Sequence, residues 1–235
     1  MIPKKIHYCW FGRGEKPKLA KKCIASWKRC CPDYEIIEWN EENFDLNKNE
    51  YVKYCYANKK WAYLSDYVRL DVVAEYGGIY FDTDVEVVKT FDELLTYDAF
   101  YGFENNEFVA SGLGFGAIAH HKTIEAMLDQ YHKLEFSPNG TLEFIGCPIL
   151  NTKALLELGL KQNGQRQNVC GAEILPIHML NPYENSTGKL LAKEDTYSIH
   201  WYAKSALDWK AKWRSRITRP FHRFFGEDCF KRFRK

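Results

Sequence analysis

Gly77-Gly78-Ile79-Tyr80-Phe81-Asp82-Thr83-Asp84-Val85-Glu86-Val87 is the stretch on which the fold turns. A glycine pair halts the pattern before it, and three apolar residues then run straight into two carboxylates one residue apart. In an extended chain residues i and i+2 point the same way, so Asp82 and Asp84 converge if the strand continues through them. Two converging carboxylates repel unless a cation lies between them, and hard oxygen ligands suit Mg²⁺ or Mn²⁺. An ion held this way clamps a diphosphate. A bare Asp-x-Asp also ends many strands in a solvated acidic turn, so its meaning depends on what flanks it.

Working backwards, residues 51–76 have helical spacing in two pieces, with Gly77-Gly78 as the stop. Lys5 to Trp10 reads as a strand, 17–31 as a helix that Pro17 suits at its first turn, and 34–39 as a second strand. A strand, a helix and a strand in the first 40 residues open an α/β domain with a mainly parallel sheet. Working forwards, 99–103 and 114–118 are expected strands, 122–134 and 151–158 helices, and 174–176 and 196–200 short late strands.

The chain has 235 residues, 46% of them hydrophobic and 16% aromatic, which is ample for a sizeable core and argues against disorder. No run of roughly 18 apolar residues occurs to span a bilayer, and the first residues lack the apolar stretch of a signal peptide. A cytoplasmic protein is expected. The eight cysteines include no Cys-x-x-Cys pair, so they read as small buried hydrophobes rather than zinc ligands or a disulfide framework. The net charge of +2 conceals an asymmetry: 210–235 carry ten Lys/Arg against two acids, and the other 209 residues sum to −6. The expected division is therefore a domain over 1–209 and a basic, aromatic tail over 210–235.

In the second helical piece, Asp66 and Arg69 stand at i and i+3 and so share one side of the helix. Ser65-Asp66-x-x-Arg69 followed by Tyr76-Gly77-Gly78-Ile79-Tyr80-x-Asp82-x-Asp84 closely resembles the DXD sugar-binding region of family 32 glycosyltransferases. That family includes capsular-polysaccharide sugar transferases and initiating mannosyltransferases, and the clostridial glucosylating toxins have a similar block. The likeness extends to residues 2–12, to Pro32-Asp33-Tyr34-Glu35, to Trp39-Asn40 and to Tyr197-Ser198-Ile199-His200. Several blocks in order are far more specific than any one of them.

The resemblance implies a GT-A fold and a retaining, metal-dependent hexosyl transfer to a glycan or lipid-linked oligosaccharide in cell-surface polysaccharide synthesis. A UDP-sugar is the favoured donor and GDP-mannose the second choice. By similarity Trp10 lies against the nucleotide base. Asp66, Arg69 and Tyr80 match donor-contacting positions, and Arg69, Asp82 and Asp84 match the catalytic set. Asp82, Asp84 and His200 match the metal shell, and because imidazole suits Mn²⁺ better than Mg²⁺, Mn²⁺ is the first choice. After His200 the pattern departs: where the family has a second His and then a Ser-Trp pair, this chain has Trp201, Ser205-Ala206 and Trp209. Glu104, after an expected strand, is a looser candidate for touching donor or acceptor.

The tail interleaves its basic residues with Trp213, Phe221, Phe224, Phe225, Phe230 and Phe233. That composition fits an anchor on anionic lipid at the inner face of the plasma membrane, and the acidic body argues against nucleic acid. Two rival readings remain at this level. One is a haloacid-dehalogenase-like phosphatase using Asp82 and Asp84; the other is an inactive sugar-nucleotide-binding scaffold.

Overall fold

A computed structural model describes residues 1–203 and Thr218. Apart from Thr218, the basic, aromatic segment 210–235 and the altered positions Ser205 and Trp209 therefore lie outside the described residues. The chain builds β1 (Lys5–Cys9), α1 (Lys18–Cys30), β2 (Glu35–Trp39), α2 (Glu50–Ala57), α3 (Trp61–Tyr76), β3 (Gly78–Tyr80) and β4 (Val85–Val87). It continues with β5 (Ala99–Gly102), β6 (Phe115–Ala117), α4 (Lys122–His132), α5 (Cys147–Glu157), β7 (Gln167–Val169), β8 (Ala172–Leu175), the short α6 (Ile177–Leu180) and β9 (Ser198–His200).

Seven strands form one sheet in the order β2-β1-β3-β6-β5-β8-β7, and β4 pairs with β9 in a separate ribbon. The β1–β2, β1–β3 and β5–β8 pairs are parallel, whereas β6 lies antiparallel between β3 and β5, and β7 antiparallel on β8. Five of the seven strands thus point one way. From β1 the chain crosses through α1 to β2 on one side, then through α2 and α3 to β3 on the other. That reversal makes the β1/β3 boundary a switch point, where a crevice opens past the C-terminal strand ends.

Period-2 alternation along the strands sends side chains to two cores. Ile6, Tyr8, Ile79, Phe81 and Phe100 pack on the face covered by α1. Cys9, Tyr80, Ala99, Tyr101 and Phe115 pack on the opposite face, under α2 to α5. Helices on both faces of one sheet are the α/β GT-A arrangement that the resemblance implies.

The α3-to-β3 turn needs its glycines. Gly77 has φ +62° and caps α3 through its N–H to Val73 O at 2.9 Å. Gly78 has φ +115°, and a Cβ there would stand 2.9 Å from Lys5 O and from His7 Nε2. Side chains are excluded on both counts.

Two expectations change. The strand stops at Tyr80, and Asp82-Thr83-Asp84 forms a turn with Val85 N–H donating to Asp82 O at 3.0 Å. The carboxylates therefore do not converge by strand alternation. The fifth helix starts at Cys147 rather than near 151, because Pro148 is accommodated in a first turn that needs no N–H from it.

Candidate active site

Asp82 and Asp84 leave the sheet at the β1/β3 switch point, and tertiary pairing brings them together with His200. The β4–β9 ladder sets Val85 opposite His200, which carries the imidazole across 116 positions of sequence to the acidic turn. His200 Nε2 stands 3.2 Å from Asp84 Oδ1. The ligand atoms of Asp82, Asp84 and His200 all lie within 4.8 Å of one another.

Behind this trio runs a buried charge chain. Arg69 Nη2 contacts Asp66 Oδ1 at 3.0 Å and Asp82 Oδ1 at 2.8 Å, with only 4% of the arginine side chain exposed. The Tyr80 hydroxyl also donates to Asp82 Oδ1 at 3.1 Å, and the guanidinium lies 5.1 Å from the Tyr80 ring centroid. Cys147 Sγ, at the start of α5, is 3.4 Å from Arg69 Nη1.

Opposed fields act on these groups. Burial pushes the Asp66 carboxyl up to about 6, against the pull of Arg69. Burial also raises Asp82, again opposed by Arg69 and reinforced by the Asp84 charge. For Asp84 burial favours the neutral acid, but His200 and the Ala203 N–H outweigh it and hold the carboxyl below its usual range. Burial would lower His200, yet the charge of Asp84 raises it. Asp84 and His200 thus each favour the charged form of the other.

A cation fits this cluster. Two carboxylates and a neutral imidazole are a donor set that Mn²⁺ accepts, and a bound cation would take over the role of neutralising Asp82 and Asp84, displacing any proton from the ring. His200 Nδ1 is buried with no hydrogen-bond partner among the described residues. The Asp-Asp-His group can thus hold a divalent ion.

The other expected residues are placed as follows. Trp10 follows β1 at the same sheet edge; its indole N–H donates to Gly14 O at 2.6 Å, and Lys16 Nζ lies 5.5 Å from its ring centroid. It is half-buried. Tyr80 is fully buried, so it reaches any donor through Asp82 and Arg69 rather than beside them. Glu104, just past β5, accepts weakly from the Tyr202 hydroxyl at 3.4 Å, while Asn181 Nδ2 donates to Tyr202 Oη at 2.7 Å. The Tyr202 ring in turn packs 4.2 Å from His200.

Sequence reasoning missed four participants. The Ala203 N–H donates to Asp84 Oδ2 at 2.7 Å, so the chain after His200 folds back onto the acidic turn. Tyr202, with φ +50°, makes that fold-back in the left-handed region. Cys147 seals Arg69. At Gly112 a Cβ would fall 2.6 Å from Asp82 Oδ2. Only Gly112 left a trace in the sequence, as one of the closely spaced glycines of Ser111-Gly112-Leu113-Gly114-Phe115-Gly116, a pattern that marks close backbone approach.

The comparisons agree with the motif reading. Residues 17–101 match the family described as glycosyltransferase sugar-binding region containing DXD motif. The matched span includes Asp66, Arg69, Tyr80, Asp82 and Asp84, while Trp10 and His200 fall outside it. Inositol phosphoceramide mannosyltransferase 3 of Schizosaccharomyces pombe is 32% identical over 105 residues, covering 42% of this chain and 28% of that protein. Inositol phosphoceramide mannosyltransferase 2 of the same organism is 30% identical over 137 residues, covering 57% of this chain and 39% of that protein. The chain thus spans well under half the length of these relatives.

Two solved structures are similar at low identity. The PaToxG glycosyltransferase aligns with a TM-score of 0.49 at 21% identity, over 66% of this chain and 69% of its own. A glycosyltransferase involved in glycosylation of the major capsid of PBCV-1 aligns with a TM-score of 0.46 at 12% identity, over 91% and 98%.

Proposed function

We propose that the chain is a metal-dependent, retaining glycosyltransferase that moves a hexose from a nucleotide-sugar to a glycan or lipid-linked acceptor. The observation that carries this reading is the convergence of Asp82, Asp84 and His200 beside the buried Asp66–Arg69–Asp82 chain. A UDP-sugar is the first donor to try. The names of the two mannosyltransferase relatives keep GDP-mannose and a lipid-borne acceptor in the reading.

Asp82, Asp84 and His200 would hold a divalent ion, Mn²⁺ before Mg²⁺, which supplies positive charge beside the leaving diphosphate. Arg69 is too enclosed to grip a phosphate directly. It holds Asp82 and Asp66 in place and lends the site a fixed positive charge from beneath, in a low-dielectric setting where that charge counts for more. Asp66, paired with Arg69 and hydrogen-bonded by Cys147, is largely enclosed and acts on the donor through Arg69. In the transfer, the C1–O bond to the diphosphate breaks and its electron pair stays with the phosphate oxygen. The acceptor oxygen bonds to C1 on the same face, and its proton passes to the leaving phosphate. No carboxylate nucleophile is required, which agrees with Asp82 being tied to Arg69 and Tyr80.

The test is slow hydrolysis of a panel of UDP- and GDP-sugars with Mn²⁺, with and without EDTA, in the wild type and in Asp84→Ala. Turnover that EDTA and Asp84→Ala both abolish supports the enzyme. No turnover across the panel, with donor binding retained, points to a scaffold. Hydrolysis of p-nitrophenyl phosphate instead points to a phosphatase.

A further inference from the structure

We propose that four aromatic rings, those of Tyr63, Phe144, Tyr54 and Phe136, form the acceptor-binding surface and that it takes a neutral oligosaccharide. The inference rests on the transfer reading above and says where the acceptor chain lies. The rings form a continuous path. Tyr63 stacks on Phe144 with centroids 4.2 Å apart and planes 24° off parallel. Phe144 lies 5.9 Å from Tyr54, and Tyr54 lies 5.2 Å from Phe136. The path ends in a surface groove of about 430 Å³ whose lining includes Tyr54, Phe136, Glu50, Lys53 and Asn58.

The other end of the path meets the donor site from two directions. Because α3 turns into β3 at Gly77, it runs back along the sheet, and earlier residues of α3 lie nearer the C-terminal strand ends. Tyr63 is one turn earlier than Asp66 on the same side of α3, so it stands beyond Asp66 at the mouth of the crevice. Phe144 precedes by three residues Cys147, which contacts Arg69. The α3 helix and the segment leading into α5 therefore each carry one ring of the stacked pair and one residue of the buried charge chain.

These rings are not simply core. Phe136 is 37% exposed, and Tyr54, Tyr63 and Phe144 are half-buried. Partly exposed aromatic rings, Phe136 above all, suit a pyranose ring, which offers a C–H face to stack and hydroxyls at its rim. Those hydroxyls meet Glu50, Lys53 and Asn58 in the groove. A lipid chain would strip water from the exposed Glu50–Lys53 pair and from Asn58, at a cost that a hydroxylated ligand avoids. Lys53 Nζ and Glu50 Oε1 already pair at 2.9 Å, so the groove is charge-balanced and fits a neutral glycan better than an acidic one.

Saturation-transfer NMR and calorimetric titration with mannohexaose and maltohexaose test the idea on the full chain. The wild type should bind at least one of them. Phe136→Ala and Tyr54→Ala should each weaken binding about five- to tenfold, the usual size of one ring contact, and Phe136→Trp should retain it. Because Phe136 is a surface residue, its loss should not unfold the protein, which circular dichroism checks. Binding that is unchanged in both alanine variants overturns the proposal, as does no binding of either glycan. Loss of phosphatidylcholine-vesicle binding in Phe136→Ala, with no glycan bound by the wild type, overturns it in favour of a lipid surface. Nucleotide-sugar hydrolysis is scored separately. Glycan binding on the rings with no hydrolysis sinks the donor reading and leaves this surface standing, whereas hydrolysis without glycan binding does the reverse.

Discussion

Gly112→Ala probes the acidic centre without removing any of its charged groups. A methyl group at Gly112 would sit 2.6 Å from Asp82 Oδ2 and 3.1 Å from Arg69 Nη1. An ordinary carbon–oxygen contact needs about 3.5 Å, so the carboxylate must retreat by roughly 0.9 Å. It has little freedom, because Arg69 Nη2 at 2.8 Å and Tyr80 Oη at 3.1 Å both hold its Oδ1. A shift of that size takes the charge-assisted bond to the edge of hydrogen-bonding range. Losing such a bond costs about 1.5–3 kcal/mol. The backbone at Gly112 is not in the left-handed region, so alanine returns about 0.4–1 kcal/mol by restricting the unfolded chain. A net loss of about 1–2 kcal/mol follows, or a fall of roughly 2–8 °C in Tm for a chain of this size. Hydrolysis should suffer more than stability, by about a hundredfold, since an ångström of misplacement has that effect on a reacting geometry. Calorimetry and Mn²⁺-dependent release of UDP or GDP read the two effects. Wild-type Tm together with wild-type turnover in Gly112→Ala would refute the claim that Asp82 is fixed from this side.

Arg69→Met leaves Asp66 and Asp82 buried without their shared counter-charge and should cost about 3–5 kcal/mol in urea unfolding; Arg69→Lys should rescue little, because an ammonium cannot reproduce the fork that spans both acids. Trp27→Phe removes the indole N–H that donates to Val85 O at 2.7 Å and should cost about 1–3 kcal/mol, the penalty of a buried carbonyl left unpaired; because Val85 sits opposite His200, the thermal shift produced by Mn²⁺ should shrink as well. His7 predicts an acid limb in stability. Its Nε2 faces Gly77 O at 2.9 Å while Nδ1 accepts from Trp39 Nε1 at 3.1 Å, so both nitrogens are satisfied only in the neutral ring. Burial pushes its pKa down from 6.5 to about 4. A lowered folded-state pKa means that the contribution is complete above pH 6.5 and is lost as pH falls towards 4, by about 3 kcal/mol in all. Urea midpoints between pH 7 and 4 should trace that loss in the wild type, and the His7 part of the slope should vanish in His7→Gln.

Local rules made much of the fold legible. Helices α1 to α3 and strands β1, β2, β5 and β6 follow from 3.6- and 2-residue periodicity bounded by Pro17, Pro32 and Gly77-Gly78, signals that act within one element. Strand β7 and the short α6 escaped because three or four residues carry too little pattern to read. The family blocks pointed to Asp66, Arg69, Asp82, Asp84 and His200, since each sits in a short motif of its own.

By itself, then, the sequence determined which residues are candidates and on which elements they ride, because capping, turn chemistry and periodicity are properties of neighbouring residues. The tertiary structure decided what those residues do to one another. Strand alternation does not aim Asp82 and Asp84 together, since they lie in a turn; the β4–β9 ladder adds His200 to them from 116 positions away. Packing of α3 and α5 made Arg69 a buried strut between two acids instead of an exposed surface partner of Asp66. It also set Gly112 against Asp82 and the ring of Phe144 on that of Tyr63. These contacts join residues tens of positions apart, so they arise only when the elements close over one another and water is excluded, which is also what gives the charges at this site their strength.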